Sequence, residues 1–154
     1  MPWTYEHPHP AVAADVALFR DRAGRTEILL VKRGKPPFAG RWALPGGFVG
    51  IDEDLEAAAR RELSEETGLQ AGDLMQLQAF GRPDRDPRER VISIVFLGWL
   101  EAGDEGEPPR AGDDAADARW FPVDALPELA FDHAEIIALA RQRLATLHAL
   151  GGRA

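Results

Sequence analysis

Residues 11–19 are Ala, Val, Leu or Phe at every position except Asp15, the pattern of a strand buried on both faces. Polar residues 20–25 make a turn, and the apolar run of residues 27–33 returns as a second strand. A loop stiffened by Pro36 and Pro37 leads to a short strand at residues 42–44, just before Pro45-Gly46-Gly47. Over residues 52–67 the spacing becomes helical, with Asp52 as the expected N-cap and Gly68 as the stop. Residues 74–80 and 91–99 read as strands joined by an arginine-rich loop. An acidic Gly/Pro stretch, residues 101–117, precedes a short strand at residues 118–121 and a helical turn at residues 123–126. Residues 132–150 form a terminal helix, with Asp132 and Glu135 as a capping box. There is no internal repeat and no linker. The expectation is one α+β domain over residues 1–154, with helices covering a mixed sheet.

Composition narrows the function classes. The chain has 154 residues, 45% of them hydrophobic and 29% charged, which suits a globular core. A net charge of −8 with no basic stripe argues against a nucleic acid polymer as partner, but leaves room for a small phosphorylated ligand held by a few arginines or a cation. With no cysteine there is no disulfide, thiolate zinc site or thiol nucleophile, which is compatible with a cytoplasmic protein. No basic segment followed by an apolar run opens the chain, and the longest apolar stretch, residues 91–100, is too short for a bilayer. A soluble, cytoplasmic domain without membrane contact is expected.

The helix at residues 52–67 carries too many acids on the wrong face. At 100° per residue Leu55, Ala58, Ala59, Glu62 and Glu66 share one stripe, flanked by Leu63 and Glu65. Two carboxylates about 6 Å apart repel by roughly 3 kcal/mol at an effective dielectric near 20. A hard cation such as magnesium or manganese, held by oxygen ligands, would offset that. The alternative is a solvated acidic face paired with Arg60 and Arg61, and helix geometry alone leaves both open. The wider pattern decides: Gly47, five residues, Glu53, seven residues, then Arg61-Glu62-Leu63-Ser64-Glu65-Glu66-Thr67-Gly68-Leu69. Seven fixed residues, each used at about one in fifteen, recur by chance on the order of once in a hundred million starts. The segment resembles the Nudix box in full.

That resemblance implies a Nudix-type α/β/α sandwich with a mixed β-sheet and a strand-loop-helix catalytic motif. It implies divalent-metal-dependent hydrolysis, with Mg²⁺ or Mn²⁺, of a nucleoside diphosphate linked to another moiety. On the matching positions Glu62, Glu65 and Glu66 would bind metal with a backbone carbonyl of Gly46 or Gly47, Arg61 would orient the carboxylates, and Glu53 would organise the site. Glu65 or Glu66 is the local candidate for general base; Glu101, Glu105, Glu107, Asp113 and Asp114 are the distal ones. Arg41-Trp42-Ala43-Leu44-Pro45-Gly46-Gly47-Phe48-Val49, the loop Arg85-Asp86-Pro87-Arg88 and Ala130-Phe131-Asp132-His133 are similar to a branch holding ADP-ribose pyrophosphatases and ADP-ribose-sensing regulators. Glu89 departs from that branch, where glycine often stands.

ADP-ribose, cleaved to AMP and ribose 5-phosphate, is therefore the expected substrate. A nucleoside triphosphate or oxidised nucleotide, or sensing without cleavage, are the alternatives. Arg33, Trp42, Phe48, Arg82, Arg85 and Arg88 are candidate substrate-binding residues. For Arg82, Arg85 and Arg88 the competing role is pairing with Asp84 or Asp86. For Trp42 and Phe48 it is a core or dimer contact, so a homodimer stays open. Asp132 is expected to cap its helix, His133 to be an exposed first-turn residue, and buried Asp15 to need a hydrogen-bond partner.

Overall fold

The computed structural model describes residues 3–103 and 106–151. Strands β1 (Ala11–Arg22) and β2 (Arg25–Arg33) form a hairpin around Ala23-Gly24, with φ of 53° and 77°, the positive pair that matches the twist of joined strands. The chain continues through β3 (Trp42–Ala43), β4 (Gly46–Phe48), α1 (Leu55–Thr67), β5 (Leu74–Phe80), β6 (Val91–Leu100), β7 (Ala115–Pro122) and α2 (His133–Ala149). These strands make one mixed sheet in the order β3-β2-β1-β6-β5, with β4 against β1 and β7 against β2. β1 runs parallel to β6 from Ala11↔Val91 to Arg20↔Leu100; the other strand pairings are antiparallel.

Side chains alternate between the two faces. Ala17, Phe19, Ile28, Leu30, Val95 and Leu97 face Ile136, Ile137, Ala140 and Leu144 of α2. Ala14, Val16, Leu18, Leu29 and Phe96 face Ala58, Ala59 and Leu63 of α1. Both faces being covered explains why β1 reads as an unbroken apolar run.

One edge of β1 is shared. Its end, Phe19–Arg22 in the register, pairs with β2, while Ala13, Ala14 and Asp15 pair with β4. β2 diverges from β1 to meet β3 and β7, so the strands open like a wedge filled by the β3–β4 connection. The functional cavity lies at this opening.

Several local expectations need correction. The N-cap of α1 is Asp54, whose carboxylate accepts from Leu55 N at 2.8 Å, because Gly50 and Glu53 already close a turn across Asp52. β7 begins at Ala115 rather than 118, since β2 pairs with it throughout, with a register shift at Lys32/Arg33. Residues 123–126 form a turn, not a helical turn, with Ala125 N bonded to Pro122 O. No capping box forms at α2: Asp132 makes no side-chain cap because its carboxylate is taken by Arg85, and Glu135 turns to Arg82. Among the described residues no helix is long and apolar enough to cross a membrane.

Candidate active site

A cavity of about 330 Å³ opens at the wedge, walled by β2, the β3–β4 segment, α1, the start of β7 and the residues leading into α2. Its acidic side is built by α1. Glu62, Glu65 and Asp113 each place a carboxylate oxygen within 4.8 Å of the others. Asp113 arrives there because the preceding loop caps α1: Arg110 N donates to Thr67 O at 2.9 Å and Gly112 N to Glu66 O at 3.1 Å, satisfying carbonyls a helix end leaves open. A side chain at Gly112 would strike the Glu65 carbonyl, and Asp113 itself sits at φ 53°, a left-handed conformation uncommon for a non-glycine residue.

Arg61 ties the acids together. Its Nη1 donates to Glu62 at 2.7 Å and Glu65 at 3.1 Å, and its Nε and Nη2 hold Glu53 at 2.6 and 2.9 Å. The guanidinium holds the Glu53 carboxyl down to about 2, with the Gly50 amide assisting. Burial pushes Glu62 upward despite Arg61, and pushes Glu66 up to about 8 although Gly46 N donates to it at 2.8 Å. Gly47 is bare for a reason: a Cβ there would meet the Glu62 carboxyl at 2.6–2.7 Å. Carboxylates crowded into an all-oxygen cluster, Glu62 largely buried and Glu65 and Asp113 exposed, fit a hard divalent cation of the magnesium or manganese type.

The opposite rim is cationic and aromatic. Arg33 donates to Pro37 O at 2.7 Å and lies 4.9 Å over the Phe131 ring, while Arg88 lies 5.3 Å over Phe48 and 5.6 Å over Phe131. Phe131 and its edge-on neighbour Phe38 have φ of 52° and 62°, backbone strain concentrated at this rim. Arg88 also pairs with Asp86 at 2.7 Å. Arg85 lines the wall, but its guanidinium forms a bidentate pair with Asp132 at 2.7 and 2.9 Å, both side chains 4% exposed.

The structure brings Arg33, Gly47, Phe48, Glu62, Glu66, Arg85 and Arg88 to this cavity, with Glu53, Arg61 and Glu65 around its acidic side. Trp42 and Arg82 are not brought there. Trp42 packs on the α2 side of the core against Phe121, with ring centroids 4.7 Å apart. Arg82 pairs with Asp84 and Glu135 in solvent. Of the distal acids Asp113 and Asp114 line the cavity, and Glu105 lies outside the described residues.

Two cavity residues stood outside the expected site: Asp15 was expected only to need a hydrogen-bond partner, which it has, and His133 to be exposed. Asp15 is bonded to Ser93 across the β1–β6 pair, and burial pushes its carboxyl up to about 6. His133 is not exposed: it is 4% accessible, and its Nδ1 accepts from Leu44 N at 2.9 Å. Burial brings its pKa down to about 4. The lone acid in an apolar strand was the available signal for Asp15. None existed for His133, because its partner is a backbone amide 89 residues away.

The NUDIX domain model matches residues 9–140. The chain belongs to the Nudix family. As a Nudix hydrolase it is 48% identical over 84% of its length to an ADP-ribose pyrophosphatase of Methanocaldococcus jannaschii, covering 72% of that protein. The NUDIX domain of Shewanella oneidensis NrtR complexed with ADP ribose superposes with a TM-score of 0.83 at 30% identity, covering 90% of each chain. A bifunctional NMN adenylyltransferase/ADP ribose pyrophosphatase from Francisella tularensis, complexed with AMP and a manganese ion, gives 0.76 at 29% identity over 90% of this Nudix chain and 43% of that one. Hydrolases of this family use divalent metals.

Proposed function

We propose that this Nudix hydrolase cleaves ADP-ribose to AMP and ribose 5-phosphate, using Mg²⁺ or Mn²⁺. The observation that carries the reading is the opposition, across one cavity, of the Glu62–Glu65–Asp113 cluster and the Arg33–Arg88 rim. A diphosphate needs cations on both sides to approach such an acidic wall. ADP-ribose in particular is supported by the 48% identity to a pyrophosphatase of that substrate.

Glu62, Glu65 and Asp113 would hold the metal, which when bound neutralises phosphate oxygens and acidifies water. Arg61 fixes Glu53, Glu62 and Glu65 in one arrangement, so the carboxylates need not reorganise as charge develops. Glu66 is anchored by Gly46 N at one oxygen and is the base best placed to take the proton from the attacking water. The water oxygen bonds to one phosphorus as the bridging P–O bond breaks, and Arg33 and Arg88 receive the charge that collects on the departing phosphate. The net acidity of the chain and the confined cavity favour a small nucleotide over a nucleic acid polymer.

The test is kcat/KM with Mg²⁺ and with Mn²⁺ for ADP-ribose, a nucleoside triphosphate and an oxidised nucleoside triphosphate, with phosphorus NMR of the products. ADP-ribose is expected to lead by at least about tenfold, the scale of one charge-assisted contact. A triphosphate in first place overturns the substrate, and tight ADP-ribose binding without cleavage overturns the enzyme in favour of a sensor.

A further inference from the structure

His133, the first residue of α2, is locked in place from behind. Trp42 N donates to Glu128 O at 3.0 Å and Ala130 N to Trp42 O at 2.8 Å, so the approach to α2 is tied to β3 by a single parallel bridge at Leu129. The next amide in line, Leu44 N, donates to Nδ1 of His133. With Nδ1 an acceptor, that hydrogen bond assigns the ring proton of the neutral imidazole to Nε2. That Nε2–H meets no acceptor among the described residues, yet it is not sealed in protein, and His133 lines the cavity. A side chain 4% exposed thus turns one fixed donor towards the space a ligand would fill.

We propose that Nε2–H of His133 donates a hydrogen bond to an uncharged sugar oxygen of the bound nucleotide, making His133 a specificity-determining residue. The inference rests on the ADP-ribose reading of the cavity. Burial keeps the imidazole neutral at working pH; of the charges facing the ring, Arg85 and Arg33 act in the same sense, and Asp132 and Asp86 oppose it. A neutral, rigid, single donor matches a hydroxyl or ring oxygen. The anionic oxygens of a diphosphate are matched instead by Arg33 and Arg88, whose guanidinium groups carry full charge. The Phe131 ring, 5.5 Å from the imidazole, walls the same corner with an apolar edge, as a furanose face requires.

Imidazole nitrogen NMR on labelled protein with Mg²⁺, titrated with an ADP-ribose analogue whose bridging oxygen is replaced by a methylene so that it stays intact, reads the contact directly. The expected result is the neutral Nε2–H tautomer before and after, with the Nε2 resonance moving on binding. Moving Gly46 and Gly47 amides with an unmoved His133 ring overturns the proposal and leaves the cavity reading standing. Conversion to imidazolium also overturns it, because that places a phosphate at Nε2. No movement anywhere in the cavity overturns both. His133→Asn keeps an acceptor for Leu44 N and deletes the outward donor, so KM for ADP-ribose is expected to rise about threefold to tenfold at near-constant kcat and Tm. An unchanged KM in that variant counts against the contact.

Discussion

Replacing Arg85 by Met removes one half of an ion pair in which both side chains are 4% exposed. Asp132 would keep a buried carboxylate that now has no bidentate partner. Breaking such a pair from one side costs about 3–5 kcal/mol, whereas replacing both partners with apolar groups is close to neutral. For a domain of this size that corresponds to a Tm lower by roughly 6–20 °C. Urea unfolding and calorimetry of Arg85→Met, Asp132→Leu and the double variant form a cycle. Both single variants are expected to lose stability and the double to recover most of it. Arg85→Met unfolding within about 1 kcal/mol of the parent, with a selective loss of ADP-ribose turnover, would refute the argument: the guanidinium would then serve the ligand and not Asp132.

Glu62→Gln is expected to abolish most activity without lowering the metal-free Tm, because it removes a partly desolvated charge from a cluster of like charges. Mg²⁺ at about a hundred times its Kd should stabilise the parent by roughly 2.7 kcal/mol and the variant far less; equal shifts would put the ion elsewhere. Gly47→Ala drives a methyl into the Glu62 carboxyl, so kcat/KM should fall about a hundredfold with little change in Tm. His133 has a folded pKa of about 4, below its ordinary 6.5, so its contribution is present above pH 6.5 and lost as pH falls towards 4. Asp15, raised to about 6, works in the opposite sense, stabilising in acid and losing that as pH rises through 6. Measured by urea unfolding against His133→Asn, which has no titrating ring there, the parent should therefore lose about 3 kcal/mol more stability between pH 7 and pH 4.

Much of the chemistry was legible because it is local. Glu62, Glu65 and Glu66 lie on one helix, so periodicity places them on one side without tertiary knowledge, while Glu53 and Arg61 were assigned by the resemblance to the Nudix box. Alternation likewise locates β1, β2, β5 and β6 within a residue or three. What spacing could not supply was anything decided by partners distant in sequence. Asp113 joins Glu62 only because the loop before it caps α1. Arg85 was read as a candidate substrate-binding residue, with pairing to Asp84 or Asp86 as the competing role, yet Asp132, 47 residues on, takes it into the interior. His133 was read as exposed for the same reason: a helix's first turn faces solvent unless another segment packs against it, and here the β3–β4 connection does.

The parallel union of β1 with β6 also shapes how the chain is born. β1 ends at Arg22 and β6 starts at Val91, so about seventy residues must be synthesised before β1 finds its longest partner. At ordinary translation speeds of about 5–20 residues per second that is roughly 4–14 s. Throughout that interval this largely apolar strand has only its hairpin partner and the short β4 along one edge, and an open edge on the other. The Nudix helix is complete well before β6 emerges, but the sheet it packs on is not. Nascent chains of this protein are therefore exposed to self-association over a defined window, and a helper that shields apolar strands would act on the ribosome-bound first half rather than on the finished enzyme.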